Sequence, residues 1–304
     1  MPQPFLSHPS QKPFVVFGAS GQIGRALVQQ LGSRALGVSR EQVDLANPAQ
    51  ILSFLESVQP CVVLNAAAYT QVDRAEQEES IADAINCEAP RLMARWCAER
   101  PVPFVHYSTD YVYSGEGTVP WREDAPASPL SAYGRSKWRG DCAVREAGGD
   151  WIIFRTSWVY DAWGKNFFNT VCRLAKERDN LRMVSDQRGA PSYAPDLAEA
   201  TLTSLEKALA MPDFPRGIYH LCHAGETSWY EFALAIVEGL RTHGDALKVQ
   251  KIDAIRSQDY PTPAQRPFNS RLALDKIQHT FGIELPHWRT GLERCLQEKQ
   301  SVPV

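Results

Sequence analysis

The sequence predicts an α/β protein: a doubly wound parallel sheet, with a smaller lobe carried by the C-terminal half. Three observations predict it. Short apolar runs alternate with helix-period segments through the first half; a glycine-rich turn joins the first run to the first helix; the second half loses the alternation and is dense in proline at Pro261, Pro263 and Pro267. The chain has 304 residues, 44% of them apolar and 22% charged, the composition of a globular protein of one large unit or about two domains. The expected organisation is a leader over residues 1–11, a first domain over 12–157, and a lobe over 158–304 from which some segments return to the sheet.

Phe14–Phe17 is wholly apolar, as suits a parallel strand covered on both faces. Ile23, Ala26, Leu27 and Leu31 then share one helical face. Ala35–Val38 reads as a second strand. Asn47-Pro48 starts a helix, with Asn as cap and Pro in the first helical position. Pro60 closes it, and Cys61–Leu64 is a third strand. One long helix is expected over much of Ser80–Glu99, a fourth strand from Pro103, a helix over Tyr133–Glu146 ended by Gly148-Gly149, and a fifth strand over Trp151–Phe154. Beyond these, helices are expected near Asn166–Glu177, Asp196–Ala208, Trp229–Leu240 and Trp288–Glu298, with a strand-like piece at Gly217–Leu221.

Gly18-Ala19-Ser20-Gly21-Gln22-Ile23-Gly24 follows the first strand and opens the first helix. Glycines at that spacing permit a tight turn and let backbone N–H groups approach a pyrophosphate at the helix N-terminus. The fold class sharpens to a Rossmann-type sheet, with Gly18, Ser20, Gly21, Gln22, Ile23 and Gly24 as cofactor residues; a glycine turn serving packing alone is the plain alternative. After the second strand stand Ser39 and Arg40, where an NAD-preferring site carries an acid. A hydroxyl and a guanidinium suit a 2′-phosphate, so NADPH is the expected cofactor and NADH the alternative. Asp44 and Leu45 are placed beside the adenine. The small residues Ala66, Ala67 and Ala68 after the third strand allow close approach of the cofactor.

Tyr133 and Lys137 stand at i and i+4, on one face of a helix. A phenol with its usual pKa near ~10 is a poor acid–base at neutral pH, and a nearby ammonium is expected to lower it. The pattern is common by chance. Its position gives it weight, because the preceding strand ends in the hydroxyl-rich run His106-Tyr107-Ser108-Thr109-Asp110-Tyr111. Thr109 is placed to hydrogen-bond a carbonyl oxygen beside Tyr133, whereas His106 reads as a packing residue.

Together the glycine pattern, the hydroxyl–Tyr–Lys set and the lobe resemble the extended short-chain dehydrogenase/reductase family. Four blocks in order, Ser108–Tyr113, Arg155–Tyr160, Asp186–Pro191 and Tyr260–Leu272, are similar to the dTDP-4-dehydrorhamnose reductases within it. The resemblance runs from about Phe14 to the last helix. It implies reduction of the 4-keto group of a dTDP-sugar in dTDP-rhamnose biosynthesis, with Tyr133 as proton donor and Lys137 on the nicotinamide ribose. It further implies Thr109 and Asp110 at the deoxysugar, Trp158 packed on the sugar, and Ala68, Tyr69 and Thr70 along the cofactor. Arg266 is a candidate for the substrate pyrophosphate, since guanidinium forks suit that group; a structural salt bridge is its alternative. Some members bridge a dimer through magnesium and a glutamate that is Ala26 here, so no metal is expected, and the partner is the dTDP-sugar with the chain a monomer or homodimer. A nucleotide-sugar 4-epimerase holding NAD, or a regulatory subunit of methionine adenosyltransferase type, would share much of this pattern.

The net charge of −3 gives no field for nucleic acid. Seven cysteines, none at a C-x-x-C spacing, argue for a reducing, cytoplasmic setting rather than a disulfide framework. His220, Cys222 and His223 lie close in sequence, but alternate faces of an extended segment would keep them from one metal. No stretch reaches the ~18 apolar residues of a membrane span.

Overall fold

The computed structural model describes residues 12–301; the leader expected over residues 1–11 lies outside them. A six-stranded sheet in the order β10 (Gly217–His220), β5 (Trp151–Thr156), β4 (Phe104–Thr109), β3 (Val62–Asn65), β1 (Phe14–Phe17), β2 (Ala35–Val38) organises the chain, and every neighbouring pair in it is parallel. Its first part runs β1 (Phe14–Phe17), α1 (Gln22–Leu31), β2 (Ala35–Val38), α2 (Pro48–Val58), β3 (Val62–Asn65), α3 (Val72–Ala75), α4 (Glu79–Asp83), α5 (Ala89–Ala98), β4 (Phe104–Thr109), α6 (Ala132–Ala147) and β5 (Trp151–Thr156). The strand order reverses at β1: the chain moves out to β2 on one side and to β3 on the other. That switch point opens a crevice at the carboxyl ends of β1 and β3, where such sheets bind ligands.

Both faces of the sheet are covered, which explains its unbroken apolar strands. On one face Phe14, Val16, Leu64 and Phe154 pack with Leu27 of α1 and with residues of α8 (Ala194–Ala210) and α10 (Asp275–Phe281). On the other, Val15, Phe17 and Val63 pack with Ile51 and Leu55 of α2 and Met93 of α5. Asn47 caps α2 as expected, its Oδ1 accepting from the N–H groups of Ala49 and Gln50, with Pro48 next. The Ser80–Glu99 segment is less simple than one helix: a π-type turn over Ala84–Glu88 separates α4 from α5. It drives Asn86 fully inside, a common use of π-type turns near working sites.

The second half continues with β6 (Val159–Tyr160), α7 (Phe167–Glu177), β7 (Asn180–Val184), β8 (Arg188–Gly189), β9 (Ser192–Tyr193), α8 (Ala194–Ala210), β10 (Gly217–His220), β11 (Thr227–Ser228), α9 (Trp229–Thr242), β12 (Lys251–Ile255), α10 (Asp275–Phe281) and α11 (Trp288–Gln300). A second core joins α7, α9 and α11 through Phe168, Val171, Phe232, Ile236, Leu292 and Leu296. Three elements return to the sheet: α8 packs along α1, α10 lies beside it, and β10 adds to the edge at β5. Among the described residues no helix is long and apolar enough to cross a membrane, and no group of His, Cys, Asp or Glu converges as a metal site. His220 bonds instead to the Tyr113 hydroxyl at 2.7 Å, and His223 to Asp196 at 2.9 Å. Ala26 is buried in the packing of α1 against the sheet.

Candidate active site

The glycine turn is shaped by backbone contacts. Gly18 has φ +78°, and a Cβ on it would lie 2.6 Å from the Ala67 nitrogen. A Cβ on Gly24 would lie 2.1 Å from the Gly18 carbonyl oxygen. The turn therefore sits directly against the Ala66-Ala67 backbone at the switch point. No side chain caps the N-terminus of α1, and its first turn carries no acid. Ser20 and Gly21 are exposed there, with Ile23 partly buried. Backbone donors, a positive helix end and no competing carboxylate fit a dinucleotide pyrophosphate. Gln22 is otherwise engaged: its Nε2 donates to the Val159 carbonyl at 3.3 Å, and its Oε1 accepts from Asn166 at 2.9 Å, tying the turn to the second half.

At the end of β2 the Ser39 hydroxyl donates to Glu41 at 2.8 Å, and Arg40 is exposed. The Asp44 carboxylate accepts from the Ala46 N–H at 3.1 Å, closing a local turn, while Leu45 packs toward α2. After β3, Ala68 is partly buried and Thr70 exposed. Asn86, delivered by the π-type turn, clasps Tyr69 through both its N–H and its carbonyl, at 2.8 and 3.1 Å, and donates to the Ser136 hydroxyl of α6 at 2.9 Å. The Tyr69 hydroxyl donates to Glu78.

The chemical end forms where α6 meets the end of β4. Ser131 caps α6, accepting from the Gly134 N–H at 3.1 Å, and Glu76 accepts from the Ala132 N–H at 2.8 Å. Gly134 is needed: a Cβ there would lie 2.3 Å from the Tyr111 carbonyl oxygen. This close approach sets the Tyr133 ring edge-on to Tyr111, with centroids 5.4 Å apart, beside the Thr109 end of β4. Thr109 donates to Asp110 Oδ1 at 3.1 Å and accepts from the Tyr111 N–H at 3.2 Å. Asp110 is 2% exposed, and its Oδ2 has no protein partner among the described residues. Burial pushes its carboxyl up to about 6, against the nearby hydroxyls of Ser270 and Thr109.

Lys137 is 1% exposed. Its Nζ donates to the Tyr107 carbonyl at 2.6 Å and lies 3.3 Å from His106 Nε2. Burial lowers its ammonium to about 8, with the Asp141 charge opposing. Asp141 is itself held by the buried Arg155 at 2.9 Å. The expected acidification of Tyr133 by Lys137 is not the balance struck in this site. Desolvation pushes the phenol up, the nearby Thr109 hydroxyl opposes it, and the Asp110 charge adds to the rise. The lysine is turned toward the β4 backbone instead.

The chain matches the family model described as the RmlD substrate binding domain over residues 12–301. It is 43% identical over 294 residues to the dTDP-4-dehydrorhamnose reductase of Burkholderia thailandensis, covering 94% of this chain and 99% of that one. It is 41% identical over 290 residues to the enzyme of the same name from Escherichia coli K12, covering 93% and 97%. The chain belongs to the dTDP-4-dehydrorhamnose reductase family. A crystal structure of the Bacillus anthracis dTDP-4-dehydrorhamnose reductase in complex with NADP superposes with a TM-score of 0.86 at 30% identity, over 94% of this chain and 99% of that chain.

Two residues of this family member lie outside the Tyr133 cluster. Trp158 has φ +49° and stacks one face on Trp229, with centroids 3.6 Å apart, above Gly189. Arg266 is held by Asp73 in a two-pronged ion pair, with further bonds to Thr262 and the Ala264 carbonyl. The structure places Arg266 in a salt bridge with Asp73. Its charge still reaches Tyr111 beside Tyr133.

Several members of the site escape a reading by motif. Asn65 and His106 lie inside apolar strands, and both are fully buried; a polar residue that should be core was the available signal. Asn86, Asp73 and Glu76 act from positions whose partners are remote in sequence, and nothing local marks them.

Proposed function

We propose that this chain reduces the 4-keto group of dTDP-4-dehydro-L-rhamnose to dTDP-L-rhamnose with NADPH, as a cytoplasmic monomer or homodimer. The observation that carries the reading is the seat of Tyr133 at the Thr109 end of β4, its ring edge-on to Tyr111 at 5.4 Å between centroids, next to the strand that bears the Ala66-Ala67 backbone. The glycine turn and the α1 N-terminus hold the pyrophosphate, Ser39 and Arg40 take the 2′-phosphate, and Lys137 takes the ribose. Bound there, NADPH supplies the hydride.

Once its hydroxyl turns from Asp110, Thr109 donates together with Tyr133 to the sugar carbonyl oxygen, favouring negative charge on it as the carbonyl is reduced. Tyr133 then gives its proton to that oxygen. Its raised pKa suits this direction, since a proton donor must hold its proton at neutral pH. Asp110 and Trp158 flank the deoxysugar, and Arg266 meets the substrate diphosphate on leaving Asp73. The test is NADPH oxidation with dTDP-4-dehydro-L-rhamnose by wild type and Tyr133→Phe. Turnover by the wild type and a loss of ~10²-fold or more in the variant are expected; equal rates would remove Tyr133 from the chemistry.

A further inference from the structure

Asn65, His106 and Lys137 form a buried row from the end of β3, across β4, to α6; none is more than 1% exposed. Its orientation can be read from one end. The Ala67 backbone N–H donates to Asn65 Oδ1 at 3.2 Å. A backbone amide nitrogen can only donate, so Oδ1 must be the acceptor and the side-chain amide cannot be turned over. Asn65 Nδ2 then faces His106 Nδ1 at 3.1 Å as a donor, which makes Nδ1 the acceptor. Burial and the nearby Lys137 hold the His106 pKa well below its ordinary value, so the ring is neutral. A neutral imidazole that accepts at Nδ1 carries its hydrogen at Nε2.

That Nε2–H points at Lys137 Nζ, 3.3 Å away. An ammonium offers only donors and cannot accept it. A neutral amine has a lone pair to accept it, and keeps a hydrogen for the Tyr107 carbonyl. We propose that Asn65 and His106 are positioning residues that set the protonation state of Lys137, their fixed tautomer favouring the amine over the ammonium. This rests on the proposed reading of Tyr133 as the proton donor with Lys137 beside it at the nicotinamide ribose. After Tyr133 gives up its proton, Lys137 Nζ loses one as the phenolate oxygen gains one, and the resulting amine is the state that the His106 Nε2–H stabilises.

Other groups bear on Lys137. Tyr133 and Asp141 lie on its own helix, His106 and the Tyr107 carbonyl on β4, Asn65 on β3, and Arg155 on β5, where it pairs with Asp141. Of the charges, Asp141 supports the ammonium, and burial opposes it with the larger effect.

The test uses the full chain labelled with ¹⁵N-histidine and free of ligand, with the His106 signals assigned by their loss in His106→Gln. A neutral ring protonated at Nε2 is expected; the Nδ1–H tautomer would overturn the proposal. In Asn65→Asp the carboxylate can still accept from Ala67 but accepts also from His106 Nδ1–H, so the tautomer should invert and Nε2 should accept from the ammonium. The alkaline limb of kcat should then move up by about one pH unit or more. An inverted tautomer with an unmoved limb, or a moved limb without inversion, would overturn the link between the two. The spectra of the wild type decide the tautomer even if the variant does not fold. They read no turnover, so inactivity toward the sugar nucleotide would sink the proposed reaction and leave the tautomer standing.

Discussion

Asp73 and Arg266 meet in a two-pronged ion pair, Nη1 to Oδ1 at 3.0 Å and Nη2 to Oδ2 at 2.8 Å, between positions 193 residues apart. The pair straps the proline-shaped loop of the second half to the segment that follows β3. The same Asp73 carboxylate also accepts from the Ala264 N–H at 3.2 Å.

If Arg266 leaves Asp73 for the substrate diphosphate, Arg266→Ala should raise KM for the sugar nucleotide about tenfold or more and change kcat little, as for a lost charge-assisted hydrogen bond. The KM for NADPH should not move. Both side chains are partly exposed, so the strap itself is worth only about 1 kcal/mol or less. A variant with a lower melting temperature and unchanged kinetics would leave Arg266 as a strap alone.

Arg40 is exposed at the end of β2, beside a Ser39 whose hydroxyl is bonded to Glu41. Arg40→Ala should raise the KM for NADPH by about tenfold or more and leave that for NADH nearly unchanged. Steady-state kinetics with both cofactors check this, and an unmoved NADPH constant would remove Arg40 from 2′-phosphate binding.

Gly24→Ala places a methyl 2.1 Å from the Gly18 carbonyl oxygen, where only backbone can yield. Overpacking of this kind costs about 1–3 kcal/mol. Denaturant unfolding should show that loss, together with weaker cofactor binding, because the turn must open to admit the methyl group.

Asp110 predicts a pH dependence of stability. Its carboxyl is raised to about 6 by burial, above the usual value of 3.8 for an aspartate. Between those values the folded state holds a proton that the unfolded state has lost, so this group's contribution falls as pH rises through that window. Asp110→Asn removes the effect. The variant should melt higher than wild type at pH 7, with the difference shrinking below about pH 4. A constant difference across that range would mean that Asp110 is not the group responsible. The same variant should lose activity, as expected where a buried acid with one unpartnered oxygen serves a site rather than the fold.

Much of the fold was legible in short stretches of sequence. The apolar run Phe14–Phe17, the cap at Asn47-Pro48 and the glycine turn at Gly18–Gly24 are local signals, and each appears in the structure as read. The i, i+4 spacing of Tyr133 and Lys137 likewise needs only a helix. The π-type turn at Ala84–Glu88 carries no comparable mark, because its cause lies outside it: Asn86 is drawn in by Tyr69 and Ser136, and its carbonyl packs against Gly140. Gly217–His220 could be read as a strand, but its place at the sheet edge comes from pairing with β5.

The sequence by itself determined the parallel sheet, the glycine turn at the start of α1 and the residue types of the candidate site, since periodicity, capping and turn geometry act within a few residues. The tertiary structure decided what those residues do to one another. It turned Lys137 toward Tyr107 and His106, raised Tyr133 by burial, and gave Arg266 to Asp73. Proton affinity and ion pairing depend on desolvation and on partners brought together from distant parts of the chain, and neither exists until the chain has folded.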